Sequence, residues 1–273
     1  MPHITTTDNV RLYTKDWGTG RPVILMHGWP LSSDTFDELG MAIADAGMRA
    51  IAYDRRGFGR SEQPWGGYDY NTLSDDLAAV VEYAGASDAA IVGFSMGGGE
   101  VARYMSRHAG KNVTQAVLIA SVVPYMLKTP DNPHGVEQQT FDGMGQAIAD
   151  DRAKFWSGFF GDFYGVGVMA KPVSDEVIEW SRAVSMRASF KATLGCAKAF
   201  SSTDFRPDLA SFHVPTLIIH GTDDKIVPID TSARAAAKGI EGSTLIEYDG
   251  GPHGLLASHT AKVTSDVLAF LRG

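Results

Sequence analysis

Five residues constrain this chain more than any others: Gly93-Phe94-Ser95-Met96-Gly97. An apolar run, Ala89-Ala90-Ile91-Val92, leads into them, and a segment with helical spacing, Gly97 to His108, leads out. A serine between two glycines at a strand-to-helix junction reads as a sharp, strained turn that lifts its hydroxyl off the sheet edge. The residues two before and two after it must be small, or they collide within the turn. The amides that follow lie at a helix N-terminus, so their dipoles point at any negative charge developing beside the serine. This pattern marks Ser95 as a nucleophile. The competing reading is a tight turn in which Ser95 only caps the helix.

The rest of the chain supplies a scaffold for such a turn. Pro22–Met26, Arg49–Tyr53, Gln115–Ala120, Pro215–His220 and Thr244–Tyr248 are short apolar runs of the kind buried on both faces of a parallel sheet. Between them fall helical patterns at Phe36–Ala46, Asn71–Ala84, Ser232–Ala237 and Ser258–Leu271, with Asn71 or Thr72 near the second helix's N-cap and Gly85 past its end. Residues 3–7 and 10–14 read as a hairpin about Asp8-Asn9. Strands alternating with helices predict an α/β fold, a mostly parallel sheet flanked by helices. The alternation breaks between Pro124 and about Pro207, where helical patches occur at 150–160, 175–186 and 190–200. The expected organisation is one core, 1–123 and 208–273, carrying a helical cap at 124–207.

A serine hydroxyl at its normal pKa is a poor nucleophile and needs a base, itself oriented by a carboxylate. Beyond the insertion the histidines are His213, His220, His253 and His259. His253 follows the last strand in a glycine-rich loop, Asp249-Gly250-Gly251-Pro252-His253-Gly254, at a sheet edge where such folds carry their chemistry. His259 lies in a helical pattern, and His220 ends a strand inside the sheet, where a hydrogen-bonded core histidine is the simpler reading. His253 is therefore the expected base. The acid should end the strand before it, where Asp223 and Asp224 stand side by side; spacing does not choose between them, and the other is expected to cap the turn. An oxyanion hole needs an amide besides that of Met96. The loop His27-Gly28-Trp29-Pro30 offers the Trp29 amide, and the Trp29 ring can still pack in the core.

Composition removes other chemistries. Twenty-four Lys and Arg against 32 Asp and Glu leave a net charge of -8, the wrong sign for a nucleic-acid surface. The single cysteine, Cys196, allows no intrachain disulfide and no multi-cysteine zinc site, and it reads as buried packing. Gly57-x-Gly59 lacks the third glycine of a dinucleotide loop, and no histidine pair has metal-ligand spacing on a helix face. No metal and no cofactor are expected. The N-terminal segment has no apolar signal core, and no apolar stretch approaches the roughly 20 residues that span a bilayer. The expected protein is soluble and cytoplasmic, without a membrane partner. Homo-oligomerisation is left open.

His27-Gly28-Trp29-Pro30, Asp54 to Ser61, Gly93 to Glu100, His220 to Pro228 and Gly251 to Gly254 together resemble the α/β-hydrolase superfamily. More closely they resemble its cofactor-free haloperoxidase, aryl esterase and perhydrolase group. The resemblance runs nearly end to end and is less sharp in the insertion. Its pattern Gly-x-x-Asp-x-x-Val-Pro implies Asp224 as the triad acid with Ser95 and His253, and the Trp29 and Met96 amides as the oxyanion hole. The implied activity is hydrolysis of small aryl or alkyl esters, with hydrogen peroxide able to replace water and yield a peracid that oxidises bromide without a metal. In the resembling enzymes a proline after the oxyanion tryptophan goes with better perhydrolysis, which draws attention to Pro30. The segment Asp54 to Ser61 reads as structural, with Gly57 and Gly59 shaping a turn. Pro30, Phe94, Val122, Trp156, Phe159 and Phe160 are the expected substrate contacts.

Lactam hydrolases and C–C bond hydrolases use the same triad. A non-catalytic binding protein on the same fold is a rival of another class. Epoxide hydrolases and haloalkane dehalogenases share the His-Gly-x-Pro loop but need a carboxylate where this chain has Ser95.

Overall fold

A computed structural model of the chain describes residues 3–85, 87–167 and 170–273. Eight strands form one sheet in the order β1-β2-β4-β3-β5-β6-β7-β8. They are β1 (His3–Thr5), β2 (Arg11–Gly18), β3 (Pro22–Met26), β4 (Arg49–Tyr53), β5 (Ala89–Phe94), β6 (Val113–Ile119), β7 (Thr216–Gly221) and β8 (Thr244–Tyr248). The pairings β1 with β2 and β2 with β4 are antiparallel; all the others are parallel. Of the runs that read as apolar on both faces, all but Thr244–Tyr248 are interior strands, and every residue of β3, β5 and β7 is buried. The edge strand β8 is half exposed.

Helices α1 (Asp37–Asp45), α2 (Tyr70–Ala84) and α3 (Met96–Arg107) make the first crossovers. The chain moves one way from β3 to β4 through α1, then returns past β3 to β5 through α2 and onward to β6 through α3. Because parallel crossovers are right-handed, α1 covers one face while α2 and α3 share the other. The helix α2 is capped by the Asp69 carboxylate, which accepts from the Asn71 and Thr72 amides, so the cap lies earlier than the expected Asn71 or Thr72. Gly85 closes it with φ 69°.

Three helices, α4 (Gln138–Phe163), α5 (Asp175–Met186) and α6 (Phe190–Ser202), lie between β6 and β7 in the chain. The first starts twelve residues before the expected 150, kinking at Asp151. Gly143 and Gly145 dilute the apolar pattern there and hide the helix. The chain ends with α7 (Ala233–Gly239), a single turn α8 (Leu255–Ser258) and α9 (Thr260–Arg272), which packs against α1. Among the described residues no helix is long and apolar enough to cross a membrane.

Candidate active site

The crossover direction reverses at β3, so the loops leaving β3 and β5 diverge from adjacent strand ends, the position where open α/β sheets bind ligands. Met26 of β3 is in register with Gly93 of β5. The residues after them are the His27–Pro30 loop and Ser95.

Ser95 has φ 54° and ψ -116°, a left-handed conformation that costs a side-chain-bearing residue free energy. The turn is held from both sides. Ser95 N–H donates to Ile119 O at 2.8 Å, and Gly98 N–H donates back to Ser95 O at 3.0 Å. The flanking glycines are required by contact: a Cβ at Gly93 would stand 2.5 Å from Gly97 backbone, and one at Gly97 would collide with the Met26 carbonyl.

Ser95, His253 and Asp224 meet at this edge. His253 Nε2 is 2.9 Å from Ser95 Oγ, and His253 Nδ1 is 2.7 Å from Asp224 Oδ2. A carboxylate only accepts, so Nδ1 carries the ring proton of neutral His253 and Nε2 faces the hydroxyl with a lone pair. All three side chains are buried. Burial pushes the Asp224 carboxyl up, but the facing His253 and His220 rings outweigh it and hold the group well below the usual carboxylate range. Its other oxygen, Oδ1, accepts from the Ile226 and Val227 amides at 2.9 and 2.8 Å. Asp224 thus caps its own turn, the task expected of the losing aspartate. Asp223 is exposed, and its backbone N–H donates to Gly251 O at 3.0 Å. His220 is the buried core histidine expected, yet its Nε2 is 2.9 Å from Val227 O and 3.1 Å from Asp224 Oδ2, so it also touches the Asp224 carboxylate. A histidine four residues before an aspartate across a strand end was the available signal.

The His27–Pro30 loop passes directly beside Ser95. A Cβ added to Gly28 would stand 3.1 Å from the Ser95 Cβ. Trp29 and Ser95 line the same cavity, and Met96 opens α3, where first-turn amides have no intrahelical acceptor. The Trp29 ring does separate work. Its Nε1–H donates to Thr193 O of α6 at 3.0 Å, and its faces and edges meet Trp156, Phe159 and Phe200.

The cavity beside Ser95 has a volume of about 230 Å³ and is strongly apolar. Of the expected contacts, Val122 and Phe159 line it; Pro30, Phe94, Trp156 and Phe160 do not. The reasons are geometric. Phe155 and Phe159, four apart on α4, face the cavity together, which rotates Trp156 and Phe160 into the core, where both are fully buried. Phe94 precedes Ser95 at the strand end and points the other way. Its ring packs on His253, with centroids 5.4 Å apart, and lines a neighbouring cavity with Phe163. Pro30 lies in a turn closed by Leu31 N–H on Gly28 O. Phe141 and Met144 also line the cavity, but they come from the part of α4 whose helical pattern the glycines obscured; Phe200 and Ile226 lack any local signal.

A sequence model of the alpha/beta hydrolase fold matches residues 21–260. A non-heme haloperoxidase of Rhodococcus erythropolis is 43% identical over 273 residues, covering 99% of each chain. The chain belongs to the α/β-hydrolase fold family, in its non-heme haloperoxidase group. A bifunctional esterase/perhydrolase of Acinetobacter calcoaceticus is 42% identical to this α/β hydrolase, with both chains covered completely. The crystal structure of a bromoperoxidase from Bacillus anthracis superposes on it with a TM-score of 0.96 at 39% identity, again over the whole of both chains. That structural match includes helices α4–α6 between β6 and β7, the part of this hydrolase least legible in its sequence.

Proposed function

We propose that this α/β hydrolase cleaves small carboxylic esters through an acyl-enzyme on Ser95, and that hydrogen peroxide competes with water to release it as a peracid. The observation that carries this reading is the continuous Ser95–His253–Asp224 hydrogen-bond chain whose serine lines an apolar cavity. Ser95 Oγ attacks the ester carbonyl and passes its proton to His253 Nε2, while ionised Asp224 stabilises the imidazolium. The Trp29 and Met96 amides receive the oxyanion. Collapse of the tetrahedral adduct expels the alcohol, which takes the proton from His253. Water or hydrogen peroxide then gives a proton to His253 and attacks the acyl carbon; the second tetrahedral adduct breaks its bond to Ser95 Oγ, which takes the proton back from His253, and a carboxylic acid or a peracid leaves. A peracid transfers oxygen to bromide, giving carboxylate and hypobromous acid, so halide oxidation follows without a further active site.

In this reading the helical segment 124–207 is a cap whose α4 supplies the acyl-side wall, and Val122 and Phe159 touch substrate. Pro30 acts on the acceptor step, by holding the Trp29 carbonyl where a bound hydroperoxide can donate to it. A cytoplasmic setting fits the single buried thiol of Cys196, which burial pushes up to about 12 and so keeps unreactive.

The test is a rate panel over p-nitrophenyl esters from acetate to octanoate, with and without hydrogen peroxide, alongside labelling by a fluorophosphonate probe. Hydrolysis and labelling that both vanish in Ser95→Ala are expected. Turnover that persists in Ser95→Ala, or a chain that neither turns over any ester nor takes the probe, would overturn the reading.

A further inference from the structure

The segment Asp54–Ser61 reads as structural in sequence, but one of its residues reaches the oxyanion loop. Arg55 and Glu100 are both fully buried and form an ion pair. Glu100 lies on α3, one turn beyond Met96. Arg55 Nε donates to Glu100 Oε1 at 2.6 Å, and Tyr53 Oη donates to Glu100 Oε2 at 2.6 Å. Arg55 Nη2 also donates to the His27 carbonyl at 2.5 Å, and the Arg55 backbone N–H donates to His27 Nε2 at 2.9 Å.

These bonds dictate the state of His27. An N–H can only donate, so Nε2 is an acceptor and the ring proton sits on Nδ1. From there it is donated to the Gly28 carbonyl at 2.9 Å, which also accepts Leu31 N–H at 3.0 Å; Arg55 Nη1, at 3.4 Å from Nδ1, is the more distant neighbour of that nitrogen. Burial and the Arg55 charge push the His27 ring down to about 3, so it stays neutral and keeps this tautomer. The Gly28 carbonyl and the Trp29 N–H belong to one trans peptide and point in opposite directions. Holding the carbonyl from two sides therefore fixes where the Trp29 N–H points.

We propose that His27, oriented by the buried Arg55–Glu100 pair, is a positioning residue for the oxyanion hole, and that the pair ties the Trp29 donor to the nucleophile's own helix. This rests on the reading of the Trp29 amide as an oxyanion donor. The network acts on the transition state and leaves ground-state binding in the cavity alone, because neither His27 nor Arg55 lines the cavity.

The experiment compares His27→Gln with His27→Asn in wild-type background. Asparagine can present its amide N–H near the place of Nδ1; glutamine carries its amide out toward Nε2 and loses the Gly28 bond. With p-nitrophenyl acetate, H27Q is expected to lose about tenfold or more in kcat, less than outright removal of a donor, with KM changed less than twofold. H27N should recover most of that loss. A trifluoromethyl ketone, which adds to Ser95 as a charged hemiketal, should bind H27Q more weakly by a similar factor. Arg55→Met/Glu100→Leu removes both charges at once, a change that buried pairs often tolerate, and should show the same kcat loss in protein that is still folded at the assay temperature, with a lower melting temperature from the Tyr53 hydroxyl and His27 carbonyl left unpaired. Equal kcat and equal ketone affinity in folded H27Q would overturn the inference. If Ser95→Ala abolishes wild-type turnover while H27Q matches wild type, only this inference fails; if Ser95→Ala stays active, the proposed function fails and takes the inference with it.

Discussion

The backbone of Ser95 makes a quantitative prediction about stability. Its φ of 54° with ψ of -116° is a conformation glycine adopts freely and other residues adopt at a cost of roughly 1–3 kcal/mol. Replacing Ser95 by alanine keeps the Cβ and the strain; replacing it by glycine removes both. Each variant loses the hydroxyl contact to His253, so that term cancels between them. Glycine carries an entropic penalty of roughly 0.5–1 kcal/mol relative to alanine. With a mid-range strain of ~2 kcal/mol, Ser95→Gly should be more stable than Ser95→Ala by about 1 kcal/mol. For a chain of this size that corresponds to roughly 2–4 °C in melting temperature. Urea unfolding followed by tryptophan fluorescence, with a calorimetric scan of each variant, measures the difference. A glycine variant no more stable than the alanine variant would show that the turn stores no strain, and the account of why a serine perches there would fail. Both variants should be inactive, since neither has the nucleophile.

Three other expectations follow from the same geometry. The folded-state pKa of Asp224 lies below its usual 3.8, so this group's contribution to stability is complete well above pH 4 and is lost as the pH falls below it; the gap in urea midpoint between the wild type and Asp224→Asn should therefore narrow from pH 6 to pH 3.5, and a gap that widens contradicts the ionised triad. Pro30→Leu should lower the ratio of perhydrolysis to hydrolysis for acetate esters, measured as peracid formed per acid released; an unchanged ratio removes Pro30 from the acceptor step. Phe159→Ala should shift preference several-fold toward octanoate by opening the cavity wall, whereas fully buried Phe160→Ala should cost about 3–5 kcal/mol of stability without changing chain-length preference. The reverse pattern would mean that the two faces of α4 have been misassigned.

Much of this protein was legible from local signals. The buried parallel strands announce themselves as apolar runs, because both faces of such a strand meet helices. Ser95 and its glycines are a five-residue motif in which Gly93 is required by contact with Gly97 itself, although Gly97 also answers to the Met26 carbonyl of the neighbouring strand, and His253 sits in a glycine-rich loop at the end of the last strand. Asp224 was less accessible. Adjacent carboxylates have the same composition, and the choice depends on which one faces His253 across 29 residues of chain. Helix α4 was half hidden because Gly143 and Gly145 weaken its pattern while tertiary packing still makes it a helix.

What the sequence determined alone, then, was the repertoire: a sheet of buried strands, a strained serine turn, and candidates for base and acid in chain order. The tertiary structure decided which faces meet. A rotation of about 100° between neighbouring helix positions separates Phe159, on the cavity, from Phe160, in the core. The Arg55–Glu100 pair likewise joins residues 45 apart, so no local pattern could have tied it to the His27–Trp29 loop. Covalent order governs turns and strands, whereas contacts between elements depend on the crossover that stacks β3 beside β5 and brings their loops to one edge.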